Sequence, residues 1–357
     1  MKTIKLSKTS KSNFVTYGIV LACFVVVQLM LATDNMSNLL QGLLVPLCIY
    51  VILAISLNLV VGISGELSLG HAGFMCIGAF AGAFFSKCMI EVITIGWLRL
   101  TIAIIIGAAC AGIFGFLIGM PVLRLKGDYL AIVTLGFGEI IKNIVNVLYI
   151  GRDENGFHFS TKSSMELGMS AEGEVIINGA QGITNTPKDA TFLFGIILVV
   201  IALIVVLNLI NSRDGRAIMS IRDNRIAAES LGINVTKYKL VAFTVSAALA
   251  GTAGVLYAHN LSSLTATTKN FGYNMSILIL VFVVLGGIGN IRGSMISALI
   301  LTLLPELLRE LNDYRMLIYS IVLVGMMLFN WAPASLQYRE RVGAYIKTKI
   351  PSKKGGK

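Results

Sequence analysis

Two pairs of ionisable residues lie in or beside apolar stretches of this chain, where charge is costly to desolvate. Glu66 and His71 sit five apart around Ser68 in VGISGELSLGHAG (61–73), and Glu139 and Lys142 sit three apart in a long apolar run. A carboxylate and an imidazole at membrane depth are residue types that relay protons or hold a coupling ion. Two plainer readings stand beside that one. The 61–73 segment is equally well a short wet turn, and Glu139 with Lys142 forms an i,i+3 pair that partly neutralises itself on one helix face. His259, at the end of an apolar block, is expected to be interfacial rather than a ligand.

Catalytic patterns are missing. The sequence has no G-x-x-x-x-G-K-[ST], no H-E-x-x-H and no G-x-S-x-G. LGGIGNIRG (285–293) departs from G-x-G-x-x-G because Arg292 takes the third glycine position. The three histidines are far apart, so a His-rich metal centre has little support. Cys23, Cys48, Cys76, Cys88 and Cys110 include no C-x-x-C pair and read as small core residues. A membrane-embedded enzyme would also need paired carboxylates or a nucleophile–base set, and none is apparent.

The elements that position these residues follow from composition. Of 357 residues, 56% are hydrophobic and only 13% charged, with a mean hydropathy of +0.82. A soluble domain carries roughly 25% charged residues. Apolar blocks fall near 14–32, 39–61, 71–90, 100–120, 129–148, 191–210, 240–259, 274–290, 294–309 and 315–330. About twenty residues at 1.5 Å each cross a hydrocarbon core ~30 Å thick. The expected fold is therefore an all-α polytopic membrane protein with about ten transmembrane helices and Gly-interrupted segments. The first block is longer than a signal-peptide core and has no A-x-A site after it, so it reads as an anchor.

Threading ten crossings with the amino terminus inside puts 20 Lys and Arg in the inside segments and 8 in the outside ones or at the block ends beside them (Lys87, Arg309 and Arg315), with Lys142 deeper within a block. That bias favours both termini in the cytoplasm. The expected organisation is a basic cytoplasmic tail (1–13), a membrane domain (14–330) and a second basic tail (331–357). Within the membrane domain, 150–190 is an acidic extracytoplasmic loop and 211–239 a basic cytoplasmic one. The net charge of +11 is loaded at the ends, as topology requires, which makes the tails solvated or lipid-facing and leaves no nucleic-acid partner.

Glycine clusters at 61–73 and 285–293 each follow an apolar block and precede a small-residue helix. Such interruptions mark discontinuous helices around a transporter's path. They also suit ordinary turns and close helix packing, as GAFAG (78–82) and GFLIG (115–119) suggest. In the basic loop, Asp223 reads as an N-cap and Gly232 as the C′ residue of an eight-residue helix. Ile226, Ala227 and Leu231 form an apolar patch, and Arg222, Arg225 and Glu229 stay polar. So short a helix needs a partner surface or a headgroup layer to hold it, and its central alanines leave room for a protein socket.

These residues resemble the permease subunits of branched-chain amino acid ATP-binding cassette (ABC) importers, of the LivM type. GELSLGHAGFMCIGAF (65–80) resembles that family's G-x-L-S-L-G-[HQ] segment. LRLKGDYLAIVTLGFGEIIK (123–142) is similar almost letter for letter to its L-R-L-[RK]-G-x-Y stretch. RDNRIAAESLGIN (222–234) resembles its form of the E-A-A loop that engages the ATPase, with Ile226 at the usual Glu position. VLGGIGNIRGSMISA (284–298) and PELLRELNDYRMLIYSIVL (305–323) look familiar too, whereas NWAPASL (330–336) replaces the family's R-P-x-G-[LI] end.

The resemblance implies a transport subunit that is not itself an enzyme and has no cofactor, because ATP is bound by partner subunits. Those partners would be two ATPases, a second permease and an extracytoplasmic binding protein, assembled at a bacterial inner membrane. The cargo would be leucine, isoleucine, valine or a related amino acid. It also implies an ATPase-coupling set of Arg222, Asp223, Arg225, Ala227, Ala228, Glu229 and Gly232. Path candidates are Gly65, Glu66, Ser68, Gly70, His71, Gly73, Glu139, Gly286, Gly287 and Gly289. Urea or short-amide permeases share S-L-G-H and the loop and remain an alternative. A secondary transporter driven by ions through Glu66, His71 and Glu139 is another.

Overall fold

The computed structural model describes residues 8–33, 37–125, 127–154, 156–169, 173–308 and 314–331. The expected tails lie outside these residues, apart from the first turns of the first helix and Trp331. Each apolar block carries a helix. The first half contains α1 (Lys8–Ala32), α2 (Asn38–Asn58), α3 (His71–Cys88), α4 (Gly96–Val122) and α5 (Asp128–Val147). After the outer loop come α6 (Phe192–Asn211), α7 (Arg213–Asp223), α8 (Arg225–Ser230) and α9 (Val235–Ala258). The remainder is α10 (Thr268–Phe271), α11 (Tyr273–Gly286), α12 (Ile291–Leu307) and α13 (Arg315–Trp331).

Among the described residues, six helical stretches are long and apolar enough to cross a membrane. They are Leu40–Ser64, Gly96–Val122, Asp128–Val147, Phe192–Asn211, Val235–Ala258 and Thr268–Gly286. This is a polytopic membrane architecture. The chain divides into two compact units, Met1–Leu299 and Ile300–Lys357, and the core described below belongs to the first.

α9 is the central helix of that unit and packs against α2, α3 and α4. Small residues allow its close approach. A Cβ on Gly78 of α3 would collide with the Gly251 backbone, and one on Gly115 of α4 would lie 2.5 Å from Ala247 Cβ. GAFAG and GFLIG are therefore packing seams, where missing side chains bring backbones together. α2 is apolar all round, with Ile49, Ile52, Leu53, Ile55 and Leu57 fully buried, as befits a helix surrounded by others.

The 150–190 loop contains β-structure that apolar periodicity did not reveal. β1 (Tyr149–Asp153), β2 (Gly156–Ser160) and β3 (Glu174–Asn178) form an antiparallel sheet in the order β2-β1-β3. β4 (Ile183–Thr184) pairs with β5 (Ser263–Leu264) beyond the end of α9. Charged residues tie this layer to the helix ends. Lys87 Nζ reaches Glu174 Oε1 and the Thr184 carbonyl, both at 3.1 Å, and Arg99 pairs with Asp189 at 2.6 Å. One expectation is corrected here. His259 is 1% exposed rather than interfacial, with Nε2 2.7 Å from Ser86 Oγ and Nδ1 2.9 Å from the Val255 carbonyl. Just after it, Thr186 bonds to the carbonyls of Leu261 and Ser262 and ties the outer loop to the end of α9.

Candidate functional site

The basic loop begins where Ser212 caps α7, its Oγ accepting from the Gly215 amide at 3.0 Å. Asp223 is the last residue of α7, not a cap. The cap of α8 is Asn224, whose Oδ1 accepts from the Ala227 amide at 3.0 Å, and α8 has six residues rather than the eight expected. The chain breaks at Asn224 because an extended residue whose side chain reaches forward ends one helix and starts the next. Gly232 follows α8 with a φ of +81°, a left-handed conformation that glycine adopts without a Cβ clash.

α8 presents two different faces. Ala228 is 2% exposed and packs with Ile221 and Val235, flanked by Ile233 and Tyr238. The room expected beside Ala228 is thus filled by the loop's own small core. Ile226 and Leu231 are 77% and 81% exposed, and Ala227 is exposed beside them. Arg225 and Glu229 form a surface pair at 3.0 Å. Arg222 is as exposed as Arg225, but its guanidinium also reaches back to the bundle. Its Nη1 donates to the Gly62 carbonyl at 2.9 Å, while Asp223 Oδ1 accepts from Nε at 3.1 Å and from Nη2 at 3.0 Å.

Gly62 belongs to a π-helical turn, Leu59–Ser64, that continues α2 and ends at Gly65 in a left-handed conformation (φ +74°). Single π-turns frequently occur at functional positions. The turn meets the second glycine cluster. A Cβ on Gly62 would strike Asn58 Oδ1 and the Gly289 backbone. Asn58, fully buried, accepts from the Gly289 amide at 2.9 Å through Oδ1 and donates to Ser294 Oγ at 2.7 Å through Nδ2. Gly287 and Gly289 have φ of +93° and +83°, and Gly286 packs directly on the backbone of Gly293 and Ser294. The two glycine clusters therefore form one seam.

The rest of the first cluster is tied in several directions. Glu66 forms an ion pair with Lys239 of α9, both side chains being largely buried. The Leu69 amide donates to Thr134 Oγ1 at 3.0 Å, and Gly70 and Gly73 lie against Thr134 and Gly138 of α5. His71 Nε2 is 2.7 Å from Ser56 Oγ, and the Ala72 amide donates to Ser276 Oγ at 3.1 Å. Ser68 is buried, with no hydrogen-bond partner for its hydroxyl among the described residues. Glu139 lies elsewhere. Its carboxylate takes Lys142 Nζ at 2.5 Å and the Tyr273 amide at 2.8 Å, and Lys142 reaches Thr268 Oγ1 at 3.0 Å. The pair thus joins α5 to the start of α11, and structure does not bring it to Glu66 or His71.

Asn58, Ser294 and Lys239 were not singled out from sequence. Asn58 was detectable in principle as a polar residue inside an apolar block, where each polar group needs a partner. No group of three or more His, Cys, Asp or Glu residues able to hold a metal occurs among the described residues.

Residues 39–330 match the family described as branched-chain amino acid transport system / permease component. The chain is 39% identical over 298 residues to the high-affinity branched-chain amino acid transport system permease protein LivM of Salmonella typhimurium, covering 81% of this chain and 67% of that one. The LivM protein of Escherichia coli is similar to the same extent. LivH of Escherichia coli is 24% identical over 257 residues, covering 71% of this chain and 79% of its own. No solved structure matches. With most of its length matched by the family, and by relatives at this identity, the chain belongs to the branched-chain amino acid transport system permease component family.

Proposed function

We propose that this chain is a permease subunit of an ATP-driven importer that carries branched-chain amino acids across a bacterial inner membrane. The observation that carries the reading is the 39% identity to LivM across 81% of the chain. In the proposed assembly the chain crosses the membrane ten times with both termini cytoplasmic. It pairs with a LivH-like permease, receives cargo from an extracytoplasmic binding protein and binds two ATPases that supply hydrolysis. It has no cofactor of its own.

The loop geometry supports the ATPase contact. Ile226 and Leu231 stand exposed on a segment that is otherwise polar, and exposed apolar side chains on a short, rigidly capped helix suit insertion into a protein cleft. Closing of the ATPases would move α8, and with it the bundle, between inward-open and outward-open states. Of the glycine seam, 62–73 and 286–289 would bound the inner end of the path.

The test is leucine uptake by proteoliposomes holding the co-purified complex. The proposal requires uptake that depends on internal ATP and survives collapse of the proton gradient. Uptake that stops with the gradient while ATP remains would refute it in favour of an ion-coupled transporter.

A further inference from the structure

We infer that Arg222 is a positioning residue that transmits motion of the basic loop to the membrane bundle through the Gly62 carbonyl. This rests on the proposed reading of 211–239 as the ATPase-coupling loop. The guanidinium is divided between two tasks. Asp223 Oδ1 holds Nε and Nη2, which leaves Nη1 to donate to the Gly62 carbonyl at 2.9 Å. A planar, forked donor fixed on one edge delivers an N–H from its other nitrogen in a defined direction, which a flexible ammonium does not.

What it grips is the π-turn at the seam. The Gly62 backbone lies against Gly289, and Asn58 secures the Gly289 amide and Ser294 from the same turn of helix. One side chain therefore connects α7 with α2 and with the α11–α12 turn. The sequence keeps room for it. A Cβ on Gly65 would lie 2.6 Å from Arg222 Cγ, and φ there is +74°. On the other side, Ile221 and Ala228 share a core with Val235, so a displacement of α8 moves the end of α7 that carries Arg222. A π-turn contains one more residue per hydrogen-bonded ring than an α-turn and is a place where helices kink. A pull on its carbonyl is thus passed to the bundle.

The experiment uses the full complex in proteoliposomes with labelled leucine and measures uptake, hydrolysis and retained ATPase together. In Arg222→Gln the ATPase should stay bound, the half-saturating leucine concentration should hold, and leucine moved per ATP hydrolysed should fall about tenfold, the factor that loss of one charge-assisted hydrogen bond commonly carries. Arg222→Lys should recover only part of the ratio. Gly65→Ala, which displaces the arginine stem, should also lower the ratio, and a normal ratio there overturns the inference if Arg222→Gln does not accumulate. A normal ratio in Arg222→Gln, or loss of the ATPase from it, overturns the inference. Ile226→Asp with Leu231→Asp tests the underlying reading separately: if that variant keeps its ATPase, the loop is not the docking element, whatever Arg222 does.

Discussion

Asn58→Ala should be the most damaging single truncation in the glycine seam. Asn58 is fully buried, with Oδ1 2.9 Å from the Gly289 amide and Nδ2 2.7 Å from Ser294 Oγ. Interhelical hydrogen bonds in membrane proteins average only about 0.6 kcal/mol each, so the two bonds by themselves account for about 1 kcal/mol. The larger effect is the Gly289 N–H left with no acceptor, which costs roughly 1–3 kcal/mol. Water has little room to replace the amide, because Gly62 and Gly289 are already in backbone contact. The expected loss is about 2–4 kcal/mol. Ser294→Ala should cost less, about 1 kcal/mol, since it removes one partner and leaves the Gly289 bond intact. Reversible unfolding in mixed detergent micelles, followed by far-ultraviolet circular dichroism, measures both variants and the double variant. The pair should couple by about 0.5–1 kcal/mol. If Asn58→Ala is as stable as the parent within ~0.5 kcal/mol, the seam is not held by this residue and the reasoning fails.

In a background without native cysteines, Lys162→Cys and Lys188→Cys should react with an impermeant thiol reagent on intact cells, and Arg216→Cys only after permeabilisation. Outside labelling at Arg216→Cys would refute the proposed topology. Ala228→Leu should overfill the core with Ile221 and Val235 and destabilise the loop by about 1–3 kcal/mol, seen as faster proteolysis within 211–239. Ile226→Ser should leave that proteolysis rate unchanged, because its side chain is 77% exposed, while less ATPase is pulled down. Arg99→Met should strip the partner from Asp189, whose side chain is only 16% exposed, and loosen the outer loop. Breaking a largely buried pair costs roughly 3–5 kcal/mol at most, and protease cleavage within 150–190 should rise accordingly.

Class and helix positions were legible in the sequence because the signals are local. An apolar run of about twenty residues reports a helix through its own composition, and the LivM-like segments report the family through their own letters. Gly232 as the residue that ends α8 was legible for the same reason, since a left-handed position favours glycine wherever it lies. Tertiary structure decided what those elements touch. The Arg222–Gly62 bond joins residues 160 apart in sequence, and Asn58–Ser294 joins residues 236 apart, distances at which no periodicity speaks. The outer sheet was hidden by its short, mixed strands, which are tied to the end of α3 by a contact far apart in sequence, Lys87 with Glu174. Ala228 shows the limit most clearly. The same small residue suits a partner's cleft or the loop's own core, and only the placement of Ile221 and Val235 around it chose between them.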